Sequence, residues 1–285
     1  MSVEVWVMIG AGISVLLIGL VLVQPRFRAA SGADKIIVLG PVFEAVALAI
    51  FAAEHFTAAR DLMPLVPRWL PGPLFWVYFV GACLLAAAVS FIAWRGVGWS
   101  APLLALLFLI IVATIDLPNL PKGMHDRIFW TLTVRETCFA GGAMVLAGSI
   151  WSRSRSAGAV LMVVGRVIVG CVFIFYAIEH FLFPRNVPGV PLEKMIPAWW
   201  PAPALLSYVV GITLLVTGVG LLIRTRARIS AAIAGTVLVL LTVFFYIPVL
   251  MAQFRTPPLA VEGINYAGDT LLFAATALLA GFGAD

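Results

Sequence analysis

The sequence predicts an all-α, polytopic membrane protein with about nine transmembrane helices. Of its 285 residues, 63% are hydrophobic and only 11% are charged, whereas a soluble domain carries about 25% charged residues. The mean hydropathy of +1.10 indicates the same class. The sequence also contains an internal repeat at a spacing of about 130 residues, which predicts how the helices are arranged. It predicts a leading helix followed by two parallel four-helix repeats.

The repeat is clearest at the motif Glu-His-Phe, which occurs at residues 54–56 and again at 179–181. The spacing is 125 at this motif and becomes 130 after a five-residue insertion. It reaches 133 where Glu136 matches Asp269. Other matching positions are Gly40/Gly165, Arg60/Arg185, Pro67/Pro197, Trp69/Trp199, Tyr78/Tyr208, Gly81/Gly211 and Pro118/Pro248. So many matches in order predict a tandem duplication.

Apolar runs locate the individual helices. A spanning helix needs about 20 mostly apolar residues, and backbone groups in lipid must bond within their own segment. Nine segments qualify: roughly 5–23, 35–58, 73–94, 99–118, 129–151, 158–183, 203–224, 228–250 and 264–283. They group into three units: a leading helix (1–34), repeat A (35–155) and repeat B (156–285).

Basic residues predict how the chain is oriented. The first segment is preceded by no basic residue and is followed by Arg26, Arg28 and Lys35, as in a retained helix with its N-terminus outside. Arginines also cluster in the short loops at 95, 153–155 and 224–228, which we assign to the cytoplasm. We expect a multi-pass protein of the cell inner (plasma) membrane. The sequence contains no basic run of the kind that binds nucleic acid, and no nucleic-acid partner is expected. The expected partner is membrane lipid.

The outer loops 59–73 and 184–203 are rich in proline and tryptophan. Proline stops helices and tryptophan prefers the headgroup layer. We expect these loops to be rigid caps on the outer membrane surface.

Six ionisable residues in the spans form three matched pairs near the outer ends of their helices. These candidates for ligand binding or proton relay are Glu54, His55, Glu136, Glu179, His180 and Asp269. Ionisable residues inside spans are rare and usually face the bundle interior or a wet cavity. Arg135 is interpreted as a countercharge for one of the carboxylates, and Asp116 as a helix-end or loop contact.

Several interpretations of this polar layer stay open. The residues satisfy one another, or they form a polar pocket for a small ligand such as a quinone headgroup or a lipid. Carboxylates and histidines on four helices also resemble a di-metal site, but the Glu-x-x-His spacing is absent. Axial haem ligation by His55 and His180 is a further alternative. No metal ligand is assigned, and the catalytic residues are not identifiable.

A second pair of charges lies nearer the cytoplasmic side. Glu44 and Arg166 occupy nearly equivalent depths on the first helices of the two repeats. An unpaired charge in hydrocarbon costs about 2.5–3.5 kcal/mol. We therefore expect Glu44 and Arg166 to form an ion pair across the repeat interface.

Each repeat resembles the DoxX-like family of small four-helix membrane proteins. The resemblance rests on the Gly40/Gly165 starts, the first helix ending in Glu-His-Phe, and the Pro/Trp loop before Tyr78/Tyr208 and Gly81/Gly211. It implies a membrane subunit of a quinone-linked redox system, that is, an oxidoreductase role with quinone and another membrane subunit as partners. The chain lacks the paired cysteines of thiol-redox relatives. A small-molecule or lipid carrier or channel, and a structural assembly subunit, are the alternatives.

Overall fold

The computed structural model describes residues 2–152, 156–190 and 193–284. These residues are almost entirely helical and include no β-strand, only an isolated bridge between Asn186 and Met195. The predicted all-α class is therefore confirmed. Arg153 and Arg155, which contributed to the predicted orientation, lie outside the described residues.

Nine long helices follow one another along the described chain. Their bounds are α1 Val3–Ala29, α2 Gly40–Thr57, α3 Pro73–Ala93, α4 Val97–Ile111, α5 Arg127–Trp151, α6 Ser156–Leu182, α7 Pro203–Leu222, α8 Arg224–Leu241 and α9 Pro257–Leu279. The short helical pieces between them are Asp34–Ile37, Ala59–Leu62, Met63–Leu65 and Leu120–Gly123. Helix α4 continues through a π turn, Val112–Asp116, to Asn119, and α8 continues through a π turn, Thr242–Tyr246, to Gln253.

Seven segments of the described chain are long and apolar enough to cross a membrane. They are Val3–Ala29, Asp34–Thr57, Pro73–Ala93, Val97–Gly123, Ser156–Leu182, Pro203–Leu222 and Arg224–Gln253. The chain is accordingly a multi-pass membrane protein, and exposed apolar side chains on these segments are suited to lipid contact. The predicted spans within α5 and α9 are outside this group, since these helices carry charged residues such as Arg135 and Asp269.

The helices α5 and α9 lie at the centre of the bundle. Helix α5 packs most extensively against α6, and α9 packs against α2, while α5 and α9 also contact each other. Helices α3 and α7 pack on the outer sides of α2 and α6, and α4 and α8 pack on α5 and α9. Helix α1 lies against α2, with Val5 and Met8 buried against Ala260 and Ile264 of α9.

Several local features occur twice, 130 residues apart. The π turns begin at Val112 and Thr242, and each is followed by a proline, Pro118 or Pro248. Proline cannot donate to the carbonyl four residues earlier and clashes with it, which accounts for a disturbed helix at this point. The residues before α3 and α7, Gly72 and Ala202, both have left-handed backbone conformations.

The loop before α7 folds into the bundle instead of lying flat as a cap on the membrane surface. Its side chains Val187, Val190 and Ile196 are buried, and the Tyr246 hydroxyl donates to the Pro188 carbonyl. The loop before α3 is shorter by five residues, and its side chains from Asp61 to Gly72 are half-buried or exposed. The two loops therefore cover the bundle unequally, because the insertion adds buried side chains only before α7.

Candidate functional site

The residues Glu136 and Asp269 meet at a single guanidinium, that of Arg135. Arg135 Nη1 lies 2.7 Å from Asp269 Oδ2, and Nη2 lies 2.9 Å from Glu136 Oε1. Arg135 and Glu136 belong to α5 and Asp269 to α9, so the group joins the two central helices. The predicted role of Arg135 as a countercharge is confirmed. One guanidinium between two carboxylates leaves one negative charge in excess, which a proton or a cationic ligand group can neutralise.

Asp116 approaches this group from α4. It lies in the π turn, within electrostatic range of Arg135 and Glu136, and its buried Oδ2 has no hydrogen-bond partner in the described chain. Asp116 lies near the end of its helix, as expected, since the helix continues only to Asn119, but its carboxylate turns towards the charges of α5. π turns inside helices are frequent at functional sites, since they redirect a side chain relative to its helix.

Glu54 lies close to this group. Its Oε1 accepts a hydrogen bond of 2.7 Å from Asn265 Nδ2, and Asn265 lies one helical turn before Asp269 on α9. Glu54 is also within electrostatic range of Asp269. Glu54, Asn265, Asp269, Arg135 and Glu136 thus form a strip of polar residues, called here the outer polar strip.

Glu179 belongs to a different set of contacts. Both of its carboxylate oxygens lie 2.9 Å from the Thr131 hydroxyl, and Arg127 Nη1 is 3.7 Å from Oε1. Arg127 also stacks over the ring of Phe183. Arg127 is the first residue of α5 and faces this buried glutamate. Glu179 therefore matches Glu54 in sequence but not in its partners.

The two histidines differ in what surrounds them. Each Nδ1–H donates to the carbonyl four residues earlier, Phe51 for His55 and Tyr176 for His180. His180 is only 1% exposed, and its Nε2 accepts a hydrogen bond of 2.9 Å from the Gly189 backbone. His55 is half-buried, and its Nε2 forms no hydrogen bond with the described residues. The loop insertion that carries Gly189 explains this difference.

The six predicted residues are therefore distributed over three settings and do not surround one pocket. Glu54, Glu136 and Asp269 lie along the outer polar strip, Glu179 binds Thr131, and both histidines bind the backbone. In the part of the chain that the structure describes, no three His, Cys, Asp or Glu side chains converge as metal ligands would. Asn265 and Thr131 were missed by the sequence reasoning, although Asn265 lies four residues before Asp269, on the same helix face.

The predicted ion pair between Glu44 and Arg166 does not form. Glu44 is 0% exposed, and neither carboxylate oxygen has a hydrogen-bond partner in the described residues. Arg166 donates from Nε to the Ala280 carbonyl at 3.2 Å and from Nη2 to the Phe282 carbonyl at 3.3 Å. The prediction failed because carbonyls at the end of α9 lack intrahelical partners and accept readily from an arginine.

A comparison of the chain with protein-family models, with curated proteins and with solved structures found no match.

Proposed function

We propose that the chain consists of a leading helix (1–34) and two duplicated four-helix repeats (35–155 and 156–285). In this proposal all nine long helices cross the cell inner (plasma) membrane. The paired π turns and the left-handed residues Gly72 and Ala202 support the duplication. So does the matched packing of Gly81 on His55 and of Gly211 on His180, at an identical offset of 130 for the glycines. The membrane crossing of α5 and α9 is favoured by their central position, where neighbouring helices shield their polar residues from lipid.

The orientation leads to a first testable prediction. Arginines at 26–28, 95 and 224–228 mark the cytoplasmic side, and Glu4 lies within electrostatic range of Glu54 at the other side. A reporter fused after Arg226 should be active in the cytoplasm, and an accessibility tag at the exposed Arg185, in the loop before α7, should be labelled from the periplasmic side. The reverse labelling pattern would contradict the orientation.

We further propose that the protein is a DoxX-like membrane subunit of a quinone-linked redox system. The observation that carries this proposal is the ring nitrogen Nε2 of His55, which forms no hydrogen bond with the described residues. The Nδ1–H bond to the Phe51 carbonyl leaves Nε2 as a hydrogen-bond acceptor. In the matched histidine, His180, the same atom already accepts a hydrogen bond from the Gly189 backbone N–H. A quinol hydroxyl arriving through the lipid is a suitable donor for His55 Nε2.

The outer polar strip gives this site its proton chemistry. Interconversion of quinol and quinone moves two electrons and two protons. The electrons are exchanged with a second membrane subunit, one proton passes through His55 Nε2, and the other is exchanged with the outer solvent. Glu54, next to His55, accepts from Asn265, which lies one helical turn before Asp269 and its arginine. This strip holds the excess negative charge that favours protons near the site.

Quinone binding by the purified protein in lipid nanodiscs tests the proposal. A short-chain benzoquinol should quench tryptophan fluorescence saturably in the wild type. We expect His55→Phe to weaken binding about three- to tenfold, because the variant loses one hydrogen bond of roughly 0.5–1.5 kcal/mol. The control is His125→Phe, which changes an exposed loop histidine and should bind as the wild type does. Equal affinities for His55→Phe and the wild type would contradict the site.

A proton-coupled carrier is the second candidate, and Glu44 is the observation that favours it. This carboxyl group on α2 is fully buried and has no hydrogen-bond partner in the part of the chain that the structure describes. It lies ten residues before Glu54 and therefore about 15 Å deeper along the helix. Acids at two depths on one helix are suited to a proton path. In the nanodisc experiment, absence of any saturable quinol binding by the wild type would favour the carrier over the redox subunit.

A further inference from the structure

A cavity of about 240 Å³ opens between α6 and α7 near their basic ends. The helices approach closely just before it: a Cβ added at Gly170 would lie 2.9 Å from the Gly218 carbonyl oxygen, and the reverse contact is the same. The cavity begins one turn beyond this crossing, where Val167 and Leu222 form its walls. It is thus a cleft between membrane-spanning helices, at the level where they leave the membrane.

Two arginines line this cleft. Arg166 is only 7% exposed, and its bonds to the Ala280 and Phe282 carbonyls hold the guanidinium in place. A guanidinium has five N–H donors, so three of them are left without a protein acceptor among the described residues. Arg224 is exposed and forms no ion pair with the described chain. The two positive charges are close enough to repel each other, and no described acid lies within ion-pair distance of either.

The walls of the cleft are apolar and open to lipid. Val163, Val167 and Leu222 are exposed, and all three line the cavity. A ligand for this site needs a negative head, to satisfy two arginines, and an apolar body, to lie along these side chains. A free phosphate satisfies only the first requirement. Basic pockets between helices at the cytoplasmic surface have the character of sites for anionic lipid headgroups.

We propose that this cleft binds an anionic phospholipid, with its phosphodiester between Arg166 and Arg224 and its acyl chains along Val163 and Val167. Arginine binds phosphate oxygens through paired hydrogen bonds, and these are strengthened at the edge of the hydrocarbon layer, where water is scarce. The bound phosphate would also offset the repulsion between the two guanidinium groups. The lipid would therefore hold α6, α7 and the end of α9 together.

Native mass spectrometry of the full-length protein, titrated with phosphatidylglycerol, tests the site. We expect Arg224→Gln to weaken the tightest-bound phosphatidylglycerol about fivefold, the effect of one arginine near an anionic surface. The Arg224 side chain is exposed and has no ion-pair partner among the described residues, so this variant should fold normally. The matched control is Arg226→Gln, an exposed arginine on the same helix that does not line the cleft. Phosphatidylcholine should bind weakly to all three proteins.

Two further results decide between sources of the phosphate. Inorganic phosphate at the same concentration should not displace the lipid, and displacement would show a site for free phosphate and overturn the proposal. Equal losses in Arg224→Gln and Arg226→Gln would show general surface attraction, which also overturns it. If neither of these results is obtained, Arg166→Lys tests the site further. Lysine retains the charge without paired hydrogen bonds, so this variant should bind phosphatidylglycerol more weakly than the wild type.

Discussion

Replacing Arg135 by methionine is expected to destabilise the protein by about 3–5 kcal/mol, because removing one partner of a buried ion pair leaves charge uncompensated. Here two carboxylates, Glu136 and Asp269, would lose their common arginine, and each is only 14% exposed at the side chain. The effect corresponds to a fall of roughly 10 °C in Tm. Thermal unfolding of the detergent-solubilised protein, followed by size-exclusion fluorescence, measures it.

The source of this effect can be separated from lost packing. Adding Glu136→Gln and Asp269→Asn to Arg135→Met removes the two unpaired charges, so the triple variant should recover part of the lost Tm. Arg95→Met, at an exposed position in a loop, is the control and should change Tm little. A Tm for Arg135→Met within a degree or two of the wild type, or a triple variant no more stable than the single one, would contradict the central role of Arg135.

The helices themselves were predictable from the sequence, since long apolar runs in lipid leave few alternatives to helix. Their ends were not. Helix α1 was predicted to span 5–23 but runs from Val3 to Ala29, through Pro25. Hydropathy reports where the hydrocarbon layer ends, whereas a helix can extend beyond it. Arg26 illustrates this, because it is charged yet lies in the helix with its guanidinium over the Trp94 ring.

The candidate site was predictable only where charge determined the contact. Glu136 and Asp269 are carboxylates inside the bundle that require a countercharge, and Arg135 is adjacent to Glu136 in sequence. Glu54 and Glu179 accept from the neutral residues Asn265 and Thr131, which the sequence does not distinguish from other polar residues in helices. Glu179 also pairs with Arg127, which is 52 residues away in sequence. The ion pair between Glu44 and Arg166 failed for a related reason, since depth alone does not fix which direction a side chain faces.

The internal sequence repeat predicted more symmetry than the structure has. The five-residue insertion before α7 brings Gly189 against His180, while Nε2 of His55 has no hydrogen-bond partner among the described residues. Matching sequence positions therefore do not have matching chemistry. The insertion was visible in the sequence, but its direction, into the bundle and not over the membrane surface, depends on buried contacts of Val187 and Val190.

The second large expected effect concerns the close contact between α5 and α6. A Cβ added at Gly165 would lie 2.3 Å from the Gly141 carbonyl oxygen, and Val145 and Met144 are also within 3.0 Å of it. The Gly141 carbonyl belongs to the backbone of α5 and cannot move without moving the helix. Gly165→Ala should therefore force the two helices apart and destabilise the protein by about 1–3 kcal/mol. Close approach of this kind depends on small residues in membrane bundles. Thermal unfolding in detergent should show the loss as a lower Tm.

Gly10→Ala is the matched control, because no atom lies within 4 Å of a Cβ added at this position of α1. Alanine favours a helix over glycine, so this variant should be as stable as the wild type or slightly more stable. Gly165→Leu adds volume against the same carbonyl and should lower Tm further than Gly165→Ala. If Gly165→Ala and Gly10→Ala unfold at the same temperature, the close contact of α5 and α6 at Gly141 and Gly165 is wrong.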